Sequence, residues 1–410
     1  VTRTESLRLA PAGRRLALAI IGVLGLAGCG AIARLDAPPG RAAETIQPLG
    51  IENARFWFDS HPEAFLREAR LAEGRQVAAL PGGRRARLPA SHMLALSGGG
   101  DNGAYGAGLL VGWTESGRRP TFDLVTGISA GALIAPFAFL GPAYDPQLAE
   151  VFTEVAPRDL VLMRGRLRAV LFGEALADTA PLYRIIERHV NEAMLSAIAA
   201  EYAKGRLLMI GTVNLDLGRP VFWNIGAIAA SGHPDALGLF RRILLASAAI
   251  PGAFPPVLFD IQHEGRNYQE LHVDGGASLQ MFLYPVLQDG SASFPRRERT
   301  AWLVRNGRLD VEWATTDRAI LSITGRAAST LLHYSAINDI VRIHLVSQRD
   351  GVGFRLAYIG PEFRAARAEP FDTAYMRALF AYGREHGRSG ERWISTLRPI
   401  GSIEPVPPPR

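Results

Sequence analysis

Cysteine is all but missing from this sequence. Cys29 is the only one in 410 residues, so no disulfide can form within the chain. Lysine is as scarce, with Lys204 alone, and the formal net charge of +6 therefore rests on arginine. Those arginines never build a block: Arg84-Arg85-x-Arg87, Arg118-Arg119 and Arg296-Arg297-x-Arg299 are pairs with a neighbour. Scattered pairs argue for a solvated surface, or one facing anionic lipid, and against a nucleic-acid partner. HExxH and similar His/Asp/Glu spacings are absent, so no metal site is expected. No period of about twenty to fifty residues recurs, which excludes a repeat array. Long apolar runs are lacking too, since Leu16 to Gly28, about thirteen residues, is too short to span a bilayer.

What is present centres on residues 92 to 131. An apolar run, Met93 to Leu96, ends in three glycines, Gly98 to Gly100, and beyond Gly103 the order Ala104, Tyr105, Ala107, Leu109, Leu110, Trp113 has helical periodicity. The pattern is a buried strand breaking into a bare-backbone loop at a helix N-terminus, where free N–H groups favour negative charge. The layout then repeats. Phe122 to Thr126 reads as a strand, Ala130 to Leu140 as a helix, and between them stands Gly127-Ile128-Ser129-Ala130-Gly131. This G-x-S-x-G pattern turns a strand so sharply into a helix that the serine is thrust out and only small neighbours fit beside it.

Other uses of glycine-rich turns compete with catalysis. A phosphate loop wants Gly-Lys-Ser/Thr after the glycines, and Asn102-Gly103-Ala104 does not supply it. Gly98-x-Gly100-x-x-Gly103 does fit a dinucleotide fingerprint, but no acidic residue ends the second strand, because Asp123 opens it instead.

SGGGDNGAYGAG followed by GISAG resembles the patatin-like phospholipase family, serine acyl hydrolases with a Ser-Asp dyad. The family's third mark, Asp-Gly-Gly after a strand, is matched by Asp274-Gly275-Gly276, and Ala246 to Pro256 also resembles the family. The resemblance spans about residues 92 to 276. It implies an α/β, three-layer patatin-like fold, with a mostly parallel central sheet and helices on both faces. It implies Ser129 as nucleophile, Asp274 as base and the amides of Gly98, Gly99 and Gly100 as oxyanion hole, with Gly103, Gly127, Gly131, Gly275 and Gly276 as supporting motif positions. No cofactor is implied, and the substrates implied are membrane phospholipids or other acyl esters. One position departs: many members carry Arg or Lys just before the last glycine of the loop, where this chain has Asn102.

An aspartate is a weak base for a hydroxyl, so such a mechanism relies on strong oxyanion stabilisation, one donor of which is typically worth ~2.7 to 4 kcal/mol. Two alternatives stay open. One is an α/β-hydrolase triad that adds His333 or His344. The other is a lipoprotein that binds an acyl chain without cutting it. Ser247 lacks flanking glycines and is read as structural.

Along the rest of the chain, Arg14 and Arg15 precede the Leu16 to Gly28 run, which suits a signal-peptide core. It ends Leu26-Ala27-Gly28-Cys29, similar to the bacterial lipoprotein cleavage box whose cysteine carries lipid, and Gly30 after it favours the outer membrane. Expected organisation is therefore a signal peptide over 1–28, a tether and N-terminal segment over 29–90, a catalytic domain over 91–350 and a C-terminal segment over 351–410. Helices are expected over Pro62 to Glu73, Asp145 to Val155, Leu182 to Val190, onward to Lys204, Asp235 to Ile250, Ile320 to Ile337 and Ala368 to His386. Leu207 to Val213, Val221 to Asn224, Trp302 to Arg305 and Arg342 to Val346 are expected strands. Alternation of this kind implies a mostly parallel sheet covered on both faces, with ligands at the carboxyl ends of its strands.

Overall fold

The computed structural model describes residues 33–81, 87–154, 162–163, 177–286, 297–310, 315–391 and 393–397. The leader, Cys29 and the proline-rich tail from 405 onward lie outside the described residues. Among the described residues no helix is long and apolar enough to cross a membrane.

Nine strands form one sheet: β1 (Arg55–Phe56), β2 (Ser91–Leu96), β3 (Leu124–Ile128), β4 (Leu207–Asn214), β5 (Arg219–Asn224), β6 (Val257–His263), β7 (Arg266–Asp274), β8 (Arg299–Arg305) and β9 (Gly353–Tyr358). The order is β1-β5-β4-β3-β2-β8-β9, and the β6–β7 hairpin joins it through β4. The five neighbours β4-β3-β2-β8-β9 are parallel throughout, whereas β1, β5, β6 and β7 pair antiparallel. Burial on both faces explains the near-continuous apolar runs of β3 and β4, every residue of which is buried.

Successive residues of the central strands feed opposite layers. Leu94, Leu96 and Val125 join the core formed with α2 (Gly103–Glu115), α3 (Ala130–Leu140), α7 (Ala236–Ser247) and α9 (Thr373–Ser389). Met93, Ala95, Leu124 and Ile128 face the other way, onto α1 (Pro62–Ala79) and α8 (Ile320–Arg349). Helices α4 (Asp145–Thr153), α5 (Ala180–His189) and α6 (Glu192–Ala203) add to the first layer, contributing Leu148, Ile186 and Ile198. The architecture is thus the three-layer α/β arrangement with a parallel centre.

Two expectations are corrected. Arg342 to Val346 is not a strand but part of α8, a helix of 30 residues. Its β-branched residues favour a strand locally, yet the buried set Ala336, Ile340, Ile343, Ser347 steps by three or four, and that helical face packs on the sheet. The strand lies further on, as β9, in parallel register with β8 from Thr300↔Gly353 to Arg305↔Tyr358. The chain beyond residue 350 therefore belongs to the same core, and the division expected there falls inside the sheet. The second half of that correction is α9, which lies against α2 with backbones nearly touching. A Cβ on Gly108 would sit 2.0 Å from the Phe380 carbonyl oxygen, and one on Gly387 would sit 2.1 Å from that of Leu109. Two glycine pairs spaced by four, Gly108 and Gly112 facing Gly383 and Gly387, make this approach possible.

Candidate active site

Ser129 stands between β3 and α3 with φ 55° and ψ −124°, a backbone conformation that a residue with a Cβ rarely adopts. The positions two residues away on either side must be glycine. A Cβ on Gly127 would lie 2.4 Å from the Gly131 carbonyl oxygen, and one on Gly131 would lie 2.3 Å from that of Leu96. The turn is braced from beneath by Ser247, at the end of α7. Its hydroxyl accepts the Ser129 N–H at 3.0 Å and donates to the Gly211 carbonyl at 2.7 Å. Ser247 is fully buried, in keeping with its structural reading.

Asp274 arrives by sheet register. Ile128 of β3 pairs with Gly211 of β4, and Thr212 of β4 pairs with Asp274 at the end of β7, so residues 129 and 274 emerge side by side. The Gly276 N–H donates to the Asp274 Oδ1 at 2.7 Å, and the Ser129 side chain also favours the charged form of this carboxyl. Burial nevertheless dominates and pushes Asp274 up to about 7, because desolvation opposes its charge more than these two groups favour it. Among the described residues no imidazole acts on this carboxyl. His344 rings against Phe354 with centroids 4.6 Å apart, and His333 lies on α8 at the rim of the cleft. A third histidine, the fully buried His272, faces Thr212 through Nδ1 at 3.0 Å and Glu270 through Nε2 at 3.2 Å.

The glycine loop follows β2. Gly98 sits against Ser129, for a Cβ built on it would lie 3.3 Å from the Ser129 Cβ. Its own N–H is already engaged, donating to the Gln280 carbonyl at 3.1 Å. The donor set expected over Gly98 to Gly100 is thereby narrowed, since the N–H groups of Gly99 and Gly100 have no acceptor among the described residues. Gly100 adopts φ 58°, and Gly103 lets α2 approach Ala130 and Phe152. Asn102, the departing position, accepts a hydrogen bond from the Tyr375 hydroxyl at 2.6 Å through Oδ1, while Asp101 is bound by Arg367 and the Phe371 N–H.

Two clefts meet at Ser129. One is apolar, lined by Leu133, Phe137, Leu182, Ile186, Leu244 and Phe254. The other is a wider and less apolar mouth that takes in Asp274, Gln280, Arg305 and Asn306, with the first half of α8 along its rim. Ile320, Ile323 and Leu331 on that half of α8 are exposed. Such a division suits an ester with an apolar acyl arm and a polar remainder. No group of acidic residues, histidines or cysteines able to hold a metal ion occurs among the described residues. Sequence reasoning passed over Arg305, Asn306 and Gln280, which carry no local motif and meet the loop only through the folding of β8 and the segment after β7.

Residues 94–286 match the family model of the patatin-like phospholipases. Over 195 residues the chain is 30% identical to a cGAMP-activated phospholipase of Pseudomonas aeruginosa (strain BWHPSA011 / Pa011), a match covering 46% of this chain and 53% of that protein. The chain thus spans about half the length of this relative. Among solved structures, VipD from Legionella pneumophila aligns with a TM-score of 0.32 at 11% identity, over 79% of this chain and 73% of VipD. Human GIVD cytosolic phospholipase A2 aligns with a TM-score of 0.27 at 12% identity, over 79% and 56%. Residues 94–286, with their elbow serine, glycine loop and Asp-Gly-Gly, are thus similar to the patatin-like phospholipase family.

Proposed function

We propose that this protein is a serine acyl hydrolase, of lipase, phospholipase A or lysophospholipase type, that cleaves carboxylic esters of membrane lipids through a Ser129–Asp274 dyad. The observation that carries the reading is a strained elbow serine whose side chain acts on a buried carboxyl poised near neutrality, beside loop amides that have no acceptor among the described residues. In the first half-reaction Asp274 takes the Ser129 proton while Oγ attacks the ester carbonyl carbon. The tetrahedral oxyanion is met by the N–H groups of Gly99 and Gly100. On collapse, the proton passes from Asp274 to the departing alcohol, leaving an acyl-enzyme whose chain lies in the apolar cleft. Water then gives its proton to Asp274 and attacks the acyl carbon, and collapse returns that proton to Ser129 and frees the acid.

The base is well matched to this work, because a general base performs best with a pKa near the working pH. A fluorophosphonate ester tests the nucleophile. Labelling of the wild-type chain that vanishes in Ser129→Ala supports the reading, and a wild-type chain that neither labels nor hydrolyses acyl esters refutes it. A panel of phospholipids and lysophospholipids then assigns acyl position and head group.

The proposal extends to location. Lipid on Cys29 would tether the enzyme to the bacterial outer membrane, bringing the cleft to its substrate. Incorporation of radiolabelled palmitate that is lost in Cys29→Ala is the expected result, and an unlabelled wild-type chain in the soluble fraction rules the tether out.

A further inference from the structure

β8 runs beside β2 and ends in Arg305, after which Asn306 and Gly307 cross under the glycine loop. Asn306 performs the mechanical task. Its N–H donates to Ser97 Oγ at 2.8 Å, its Nδ2 to the Ser97 carbonyl at 2.8 Å, and its Oδ1 accepts the Gly106 N–H at 3.1 Å. Its own carbonyl oxygen would lie 2.2 Å from a Cβ on Gly99. The loop is therefore fixed without help from a charge.

Arg305 adds a charge all the same. It is 7% exposed, and no carboxylate of the described residues lies within ion-pair distance of it. Nη1 makes only long contacts, 3.4 Å to Ser97 Oγ and 3.3 Å to the Gly98 carbonyl oxygen, and Nε has no acceptor. Asp339 is the acidic group that acts on it, but that carboxylate is already bonded by Arg342 and by the N–H groups of Gln280 and Met281. Burial pulls the guanidinium down to about 10, which still leaves it charged at neutral pH. A buried cation without a counter-charge is unfavourable unless an anion joins it. The anion that the proposed chemistry forms beside the glycine loop is the oxyanion, and Arg305 lines the same cleft as Ser129 and Asp274.

The geometry links the two through one peptide. The Gly98 carbonyl and the Gly99 N–H belong to the same trans unit and point in opposite directions. With Arg305 on the carbonyl end, the amide end faces away from it. We propose that Arg305 is a positioning residue of the oxyanion hole, whose guanidinium polarises the Gly98–Gly99 peptide from behind and supplies the positive charge that Asn102 cannot. This inference rests on the serine-hydrolase reading and adds a residue to it.

The test compares Arg305→Lys, Arg305→Gln and Arg305→Met with the wild type, using p-nitrophenyl ester hydrolysis and the rate of fluorophosphonate labelling. Loss of charge is expected to lower kcat about 10- to 100-fold with KM little changed, and to slow labelling in parallel. Arg305→Lys is expected to recover most of kcat at neutral pH. Its profile should gain a falling alkaline limb that the wild type lacks, because burial lowers a lysine into the titratable range. A folded Arg305→Met or Arg305→Gln chain with wild-type kcat overturns the inference. So does an Arg305→Lys chain as inactive as the neutral variants at every pH, which marks a purely structural role; should the neutral variants not fold, the presence or absence of the alkaline limb decides. An inert wild type refutes the hydrolase reading and this one with it, whereas an active wild type with unaffected variants refutes only this one.

Discussion

Asp274→Asn should inactivate the protein and stabilise it, and the second effect should depend on pH in a defined direction. The amide has nearly the shape of the carboxyl and still offers an acceptor to the Gly276 N–H, so packing is preserved. In the unfolded chain the aspartate ionises near 3.8, and in the fold near 7. Below 3.8 both states hold the proton and the group is neutral towards stability. Between the two values the unfolded chain has released the proton and the native one retains it. Native stability then falls by ~1.4 kcal/mol per pH unit. Above 7 both are ionised and the loss is complete, at roughly 4 kcal/mol. About 2.5 kcal/mol of that falls between pH 5 and pH 8.

Asparagine has no such dependence, so the variant should gain about 2.5 kcal/mol on the wild type across that interval, read from paired urea unfolding curves at the two pH values. A stability difference that stays constant from pH 5 to pH 8, or that shifts in favour of the wild type, would show that burial does not raise this carboxyl. In the proposed mechanism the same group sets the rate. Ester hydrolysis by the wild type should have a kcat/KM that rises with pH through about 7, as the free enzyme's base loses its proton. A profile flat over that range contradicts Asp274 as base.

Ser247→Ala leaves the Ser129 N–H and the Gly211 carbonyl without their shared partner in a fully buried place. A loss of about 1–3 kcal/mol is expected in chemical denaturation, with slower fluorophosphonate labelling of Ser129; unchanged stability and labelling would remove Ser247 from the elbow's support. Gly112→Ala places a Cβ 1.9 Å from the Arg384 carbonyl oxygen and forces α2 and α9 apart. Overpacking of this kind should cost about 1–3 kcal/mol, and a Tm equal to that of the wild type would contradict the close contact.

The parts of the fold legible in sequence are those where local pattern and tertiary demand agree. β2, α2, β3 and α3 are marked by apolar runs meeting small residues, and α3 covers the expected Ala130 to Leu140. Ser129 and Asp274 come together because each ends a strand, and strand ends are where bare backbone and short glycine-flanked turns can be recognised. What escaped was set by distant partners. Arg342 to Val346 has strand-forming residues, but its burial period is decided by the sheet beneath it. The glycine pairs of α2 and α9, Gly108 with Gly383 and Gly112 with Gly387, have meaning only together, each pair 275 positions apart in the sequence. Arg305 reads as an ordinary arginine closing a strand, and its lack of a counter-charge is visible only once the loop covers it.

These features become coherent when the resting site is set against its transition state. At rest, the cleft holds two electrostatic liabilities: a carboxyl whose ionisation is opposed by burial, and a guanidinium with no carboxylate of its own. In the proposed mechanism, Asp274 accepts a proton when Ser129 attacks and becomes the neutral group its surroundings favour. In the same step the oxyanion forms, and Arg305 acquires a negative partner across the Gly98–Gly99 peptide. Both liabilities are thus relieved together, and only along the reaction coordinate. Interactions that improve from ground state to transition state raise kcat, whereas those equal in both lower KM alone. A neutral residue at 305 would leave the oxyanion with amides alone. A base of ordinary acidity at 274 would hold its charge too comfortably to take the proton. The same burial that makes each group unfavourable at rest is what gives the pair its differential stabilisation.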